Sequence, residues 1–302
     1  MATTFDGLLT RIRQQLMGYT MDQSAMAELA IAMGAGDTSF TVATDGPRAV
    51  SMGLTEIDDE LVLVKSYDST SGVVQIMGGI NGRGREGSTA ATHAQQALVT
   101  IAPKFPRVRM REAVNDVLGN LYPDLCVFAT TSITNISVVY EYGMPADALD
   151  VWSVSDQTVG PSQVWMQGRT WRFNPTANST AFPTGKSVQL FDSITPGRTM
   201  FVKYVKAPGV LVNGSDDFAT VTGLAESSVD LVVYGAVARL LPAYEAARLQ
   251  ASSVEATERA PLVPVSSAIK TAQYYMALYQ QRLAEERAAM FALHPQTQFY
   301  AG

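Results

Sequence analysis

Apolar residues recur at two different periods along this chain, and the changes between them mark its elements. Phe5, Leu8, Leu9, Ile12 and Leu16 keep helical spacing, with Thr4 placed to cap the helix they predict over residues 4–17 and Gly18 placed to end it. From Ala27 the period becomes that of strands, in the runs AELAIAM, TSFTV, LTEI, ELVLVKSY, GVVQIM and ALVTI; GAGD at 34–37 and DSTSG at 68–72 supply turns between them. A helical stripe returns after Pro106 with Val108, Val114, Val117, Leu118 and Leu121, and Pro123 stops it. Residues 127–222 go back to short strands, among them ISVVYEY, DVWSVS, TWRFN, SVQLF and TMFVKYV, divided by Pro, Gly, Asn and Ser. That spacing suits a β-sandwich or jelly-roll-like module.

The C-terminal part predicts helix again. Ser227 with Asp230 forms a weak capping box, and Pro242 is expected to kink or divide the helix that follows. Beyond a linker holding Pro261 and Pro264, the final helix places Val265, Ile269, Ala272, Met276, Tyr279, Leu283 and Met290 at alternating steps of four and three, with Glu286 interrupting the stripe. So narrow a strip reads as a seam against another helix. The expected architecture is α+β. It comprises an N-terminal helix (1–20), a small antiparallel β-domain (21–104), a connecting helix (105–126), a β-sandwich or jelly-roll-like domain (127–224) and a C-terminal helical region (225–302), the last containing a helical pair.

Composition narrows the function. At 302 residues the chain can bury one large core or two smaller ones. Charged residues make up 17% and hydrophobic ones 47%, a low-charge balance that suggests surface buried against partners. A net charge of −6 argues against a broad nucleic-acid-coating face, which needs clustered Lys and Arg. Cys126 is the only cysteine, so it reads as a small buried hydrophobe. The N-terminus lacks the apolar core of a signal peptide, and no window approaches a membrane span; a soluble, reducing compartment is expected.

The stretch INGRGREGSTAATHAQQALVTI, residues 80–101, carries the most chemistry-like pattern. Gly82, Gly84 and Gly87 match the spacing of a dinucleotide fingerprint, but the segment runs into an apparent strand rather than a helix, and no lysine follows Gly87 as a Walker loop requires. No nucleophile elbow is present to partner His93, and with His294 the only other histidine a zinc site would be short of ligands. A long ordered β-hairpin is expected, with Gly residues at unusual φ and His93 packing or capping. Glu56, Asp58, Asp59 and Glu60 lack the register of a calcium loop and read as a tight turn from a strand ending at Ile57 to one starting near Glu60. Lys104, Arg107, Arg109 and Arg111 form the one dense basic run. Cations at a helix start oppose its dipole and call for an anionic partner. Arg107 and Arg111, four apart, share a helix face and are expected to act together on acids of a neighbouring subunit, with Arg109 dispensable. No catalytic, cofactor-binding or metal-binding residue is expected, and no enzymatic activity.

The segments DTSFTV, GLTEIDDELVLVKSYDSTSGVVQIM, GRGREGSTAATHAQQALV and FPRVRMREAVNDVLGNLYPDL resemble a family of virion structural proteins of tailed bacteriophages, those of the head-to-tail connector or neck. In that family a β-module with an RG-x-x-GT-x-A-x-x-H-x-x-G-x-x-V hairpin precedes an FPR helix start. This chain departs from the pattern by placing Ser88 before Thr89 and Gln96 where glycine is common. LVVYGAVARLLPAYEAARLQ and YYMALYQQRLAEERAAMFALHPQ are similar to the family's final helices. The resemblance implies a homo-oligomeric ring of twelve copies, docked between the portal protein and the next neck or tail protein, with genomic DNA passing through its channel without specific binding. It also implies a virion location after synthesis in the host cytoplasm, with no membrane partner. Arg107, Arg111, Ile269, Met276, Tyr279 and Leu283 are the expected interface residues. Two alternatives stand beside this: a tail, fibre or baseplate receptor-binding protein using Trp152, Trp165 or Trp171, and a virion-associated cell-wall hydrolase.

Overall fold

The computed structural model describes residues 2–17, 25–43, 50, 52–136, 139–157, 165–167, 169–192, 194–249 and 267–295. Among them are five α-helices and thirteen strands, every strand pairing antiparallel, so the chain is α+β. No helix among the described residues is long and apolar enough to cross a membrane. The chain divides into two compact units, one of residues Asp6–Asp116 and Val232–Leu278, the other of Met1–Phe5, Val117–Leu231 and Tyr279–Gly302.

The first unit is built on a six-stranded sheet of β1 (Ala25–Glu28), β2 (Ser39–Thr41), β3 (Gly53–Ile57), β4 (Glu60–Tyr67), β5 (Val73–Ile76) and β6 (Leu98–Ile101). Its order is β1-β6-β3-β4-β5-β2. Ile57, Val62, Val64, Val74, Ile76 and Val99 lead its core; β-branched side chains suit a pleated, buried surface. Ile57 pairs with Glu60 across the expected tight turn, where Asp58 takes φ 53°. Helix α1 (Phe5–Met17) buries Leu8, Leu9 and Ile12, and α2 (Arg107–Gly119) starts directly after Pro106. The anticipated helix end at Gly18 lies outside the described residues.

One expectation fails here. Residues 80–101 are not a β-hairpin, because β5 and β6 are not neighbours: β6 lies between β1 and β3. The residues between them form a crossing loop, starting with a short 3₁₀ turn (Gly79–Gly82), that makes local turn bonds such as Ser88 N–H to Arg85 O and also bonds other parts of the unit. Arg85 N–H reaches Leu61 O, Gln96 N–H reaches Leu29 O, and Met33 and His93 exchange both of theirs.

The second unit contains β7 (Val127–Thr134), β8 (Glu141–Gly143), β9 (Asp150–Gln157), β10 (Trp165–Gln167), β11 (Trp171–Asn174), β12 (Ser187–Leu190) and β13 (Thr199–Lys206), followed by α3 (Phe218–Thr222). They form a sheet β10-β9-β13-β7 and a sheet β11-β12-β8. Val154, Met200 and Val202 from the first share one core with Tyr142, Val188 and Leu190 from the second, the sandwich-like arrangement the strand spacing suggests. Two details differ from expectation. Of the described residues of the run ISVVYEY, only Glu141 and Tyr142 are strand, in β8, and the Tyr142 hydroxyl accepts from Ile136 N–H (3.0 Å) and donates to Asn135 Oδ1 (2.7 Å). The longer strand is β7, whose Thr and Ser residues masked its alternation.

Helix α4 (Val229–Leu249) runs through Pro242 undivided, and α5 covers Ser267–Leu293. Buried Val232, Ala236, Val237 and Leu241 along α4 outweigh the one hydrogen bond that Pro242 cannot donate. Ser227 is not the N-cap; it lies in a 3₁₀ turn (Glu226–Ser228), and its hydroxyl donates to Glu286. Val265, Pro261 and Pro264 lie outside the described residues.

Candidate functional site

The Gly-Arg-His stretch and the acidic turn, read separately from the sequence, meet in one buried cluster. Glu60, first residue of β4, accepts from Arg83 Nε (2.6 Å) and Nη2 (2.8 Å), from the backbone N–H of Gly84 and of Ala91 (both 3.0 Å), and lies 2.9 Å from His93 Nε2. The side chains of Arg83 and Glu60 are 0% and 1% exposed. Arg83 spends its remaining donors on the carbonyls of Gly34 (2.9 Å), Asp37 (3.2 Å) and Ala91 (2.7 Å), so the whole guanidinium fork is satisfied. His93 is buried, with Nδ1 2.8 Å from Asp58 Oδ2. Carboxylates at both ring nitrogens assign it as the imidazolium.

Electrostatics follow from this geometry. Burial disfavours ionised Glu60, but hydrogen bonds from Arg83, His93, Ala91 and Gly84 outweigh it and hold the carboxyl at about 2. For His93 burial again opposes charge, and the bonds to Glu60 and Asp58 win, raising its pKa above the ordinary 6.5. Glu60 is thus held ionised, and His93 has no free lone pair. The cluster offers neither general acid, general base nor open anion site; it clasps the loop to β4 and to residues 34–37.

Glycines make the clasp fit. A Cβ on Gly82 would lie 2.2 Å from Met77 O, so no larger residue fits beside Arg83. Gly84 takes φ 56°, which turns its N–H toward Glu60. Gln96 also sits in the left-handed region, φ 68°, at the position where the resembled pattern carries glycine. A residue with a Cβ in that region carries a local conformational cost.

The basic run finds its acids inside the chain, which corrects the expectation of a neighbouring subunit. Arg107 Nε and Arg111 Nη1 bind the two oxygens of Asp59 at 2.7 and 2.6 Å, and Arg107 Nη2 reaches Asp6 at 2.6 Å. The two arginines do act together, as their four-residue spacing requires. Arg109 faces elsewhere, pairing with Glu86 (2.9 Å) and Glu112 (2.8 Å). Glu56 completes the helix start by accepting Arg107 N–H at 2.5 Å; burial, partly countered by that bond and by Arg13 and Arg107, pushes its carboxyl up to about 7. The acidic turn is therefore fully engaged with the chain's own donors.

In the second unit Asp156 on β9 is buried between Arg169 Nε (2.7 Å) and Arg198 Nη1 (3.0 Å), which hold its pKa down against burial. This triad has no sequence signature, since its members come from separate runs. Cys126 is buried with Sγ 3.6 Å from Met290 Sδ, and burial pushes its thiol up. Trp171 packs against the sandwich core and Trp152 lies edge-on to Phe128 at 5.0 Å; the side chain of Trp165 lies outside the described residues.

The stripe on α5 divides. Ala272 and Met290 are buried, Tyr279 and Leu283 half-buried, while Ile269 and Met276 are 43% and 41% exposed. Glu286, the apparent interruption, accepts from Ser227, Ser228 and Arg282. Leu283, Ala284, Arg287, Phe291, Gln280 and Asp124 line an open groove of about 580 Å³. Among the described residues, no group of three or more His, Cys, Asp and Glu is arranged to hold a metal ion. Compared with known proteins, the chain matches no family model and no curated relative.

Proposed function

We propose that the chain is a structural protein of a tailed-phage particle, a head-to-tail connector that assembles as a ring beneath the portal and lets genomic DNA pass. The observation that carries this reading is the use made of the residues behind the resemblance: Arg83 has all its donors engaged and His93 both its nitrogens, in a clasp that stiffens a β-module. Rigid modules that present surfaces are what an assembly protein needs, and a hydrolase motif would leave a base or nucleophile open. The seam-like side chains on α5 supply a second support, since Ile269 and Met276 lie outward, and Tyr274, Phe291 and Leu293 of the same helix are exposed as well. In this reading α5 packs between neighbouring copies. The acidic average keeps DNA from adhering to the channel during ejection.

Electron microscopy of the purified protein tests it. Closed rings with a central opening are expected, and Met276→Asp, at an exposed position, should abolish them with the fold intact because a carboxylate is costly in an apolar seam. Wild-type protein that never forms rings, alone or with portal, would remove the connector reading. Rings that survive both Met276→Asp and Ile269→Asp would remove α5 from the seam.

A further inference from the structure

Among the described residues, five of the six edge strands in the three sheets are short: β1 and β11 have four residues, and β2, β8 and β10 have three. Short edges are one way proteins avoid strand addition. β7 is different. It is an edge strand of eight residues, paired along its whole length with β13 on one side. Asn135 N–H donates to Arg198 O just beyond it, so alternation along the ladder turns the N–H and C=O groups of Phe128, Thr130, Ser132 and Thr134 away from β13. Among the described residues none of these outward groups has a hydrogen-bond partner, and Thr130, Ser132 and Thr134 are exposed. Three usual protections are also missing: residues 125–140 contain no charge and no proline, and the β7 register is unbroken by a bulge.

We propose that this edge pairs antiparallel with β7 of a second copy, across a two-fold axis centred on Thr131. The choice of occupant comes from the strand's own chemistry. A free ladder edge is completed by another extended backbone, and this one meets itself without like charges. With the axis at Thr131, all the outward-pointing residues fall into hydrogen-bonded register, Phe128 opposite the second copy's Thr134 and Thr130 opposite its Ser132. On the other face Thr131 meets its own mate, and Ile133 covers the second copy's Ala129. Ala129 and Ile133 are half-buried at the margin of the sandwich core, so the added strand would finish burying them. Hydroxyl pairs and an Ile–Ala pair are favourable cross-strand neighbours. This two-fold contact is separate from the ring proposed above and does not depend on it.

Thr131→Cys tests the register directly. Facing Thr131 residues form a non-hydrogen-bonded pair, whose Cα separation of roughly 4.5 Å lies within disulfide reach. Mild oxidation should convert the full-length variant to a covalent dimer, while wild type, with its one buried cysteine, and Thr130→Cys should stay largely uncrosslinked. In sedimentation, Ser132→Pro should weaken wild-type dimerisation roughly ten- to a hundred-fold, because it removes an outward N–H and spares the β13 ladder. A monomer at every concentration, or a dimer unaffected by Ser132→Pro and not crosslinked through position 131, would overturn the proposal. If Ser132→Pro fails to fold, the Thr131→Cys crosslink alone decides.

Discussion

Two buried carboxylates anchor the two units, and they are built to different standards. Glu60 is enclosed with a guanidinium whose every donor is used, two backbone N–H groups and an imidazolium. Asp156 is just as buried, but its two arginines are each 23% exposed. The first is a closed polar network in which removing any member strands another; the second leaks toward water, which can replace a lost bond. How deeply the partners are buried, more than the number of ion pairs, should therefore set the cost of breaking each.

Glu60→Gln should be the most damaging change, about 3–5 kcal/mol in urea-denaturation stability, because it leaves Arg83 charged and buried. Asp156→Asn should cost about 1–3 kcal/mol, since its arginines can turn to solvent. Equal losses for the two would erase the distinction drawn between them.

His93→Gln should cost about 1 kcal/mol near pH 6, and its pH dependence sharpens the comparison. His93 has a raised pKa, so its contribution is complete below pH 6.5 and is lost as pH rises through the folded value. Glu60, lowered to about 2 from 4.5, contributes above pH 4.5 and loses this as pH falls toward 2. Glu56, raised to about 7, contributes below pH 4.5 and loses this between 4.5 and 7. Thermal melts across pH should show His93→Gln removing the decline above pH 6.5 and Glu56→Gln removing the one between 4.5 and 7, with the acid limb unchanged in Glu56→Gln and altered in His93→Gln, which takes one of the bonds that hold Glu60 low. The smallest effect expected is from Gln96→Gly, which relieves a left-handed backbone and should stabilise by less than about 1 kcal/mol.

Local elements were legible in the sequence where one pattern governed them. The α1 stripe, the turn at Asp58 and Asp59, and the pairing of Arg107 with Arg111 all follow from spacing. The crossing loop was not, because a Gly-rich stretch between two apolar runs looks like a hairpin until the sheet order is known. β7 escaped because Thr130, Ser132 and Thr134 lie on an open edge, where burial does not impose alternation. The Glu60 cluster was visible only in halves: Glu60 read as part of a turn and His93 as part of a loop, and their meeting depends on a fold that brings residues 23 to 33 positions apart together.

The claim that Glu60 clasps the loop rests on two backbone donors, Gly84 and Ala91, and amide hydrogen exchange reads both. In wild type these two amides should exchange about as slowly as those inside β4; in Glu60→Gln, under conditions where the protein is still folded, they should lose protection while the β4 amides keep theirs. Fast exchange at Gly84 and Ala91 in wild type, or protection unchanged by the substitution, would contradict the account.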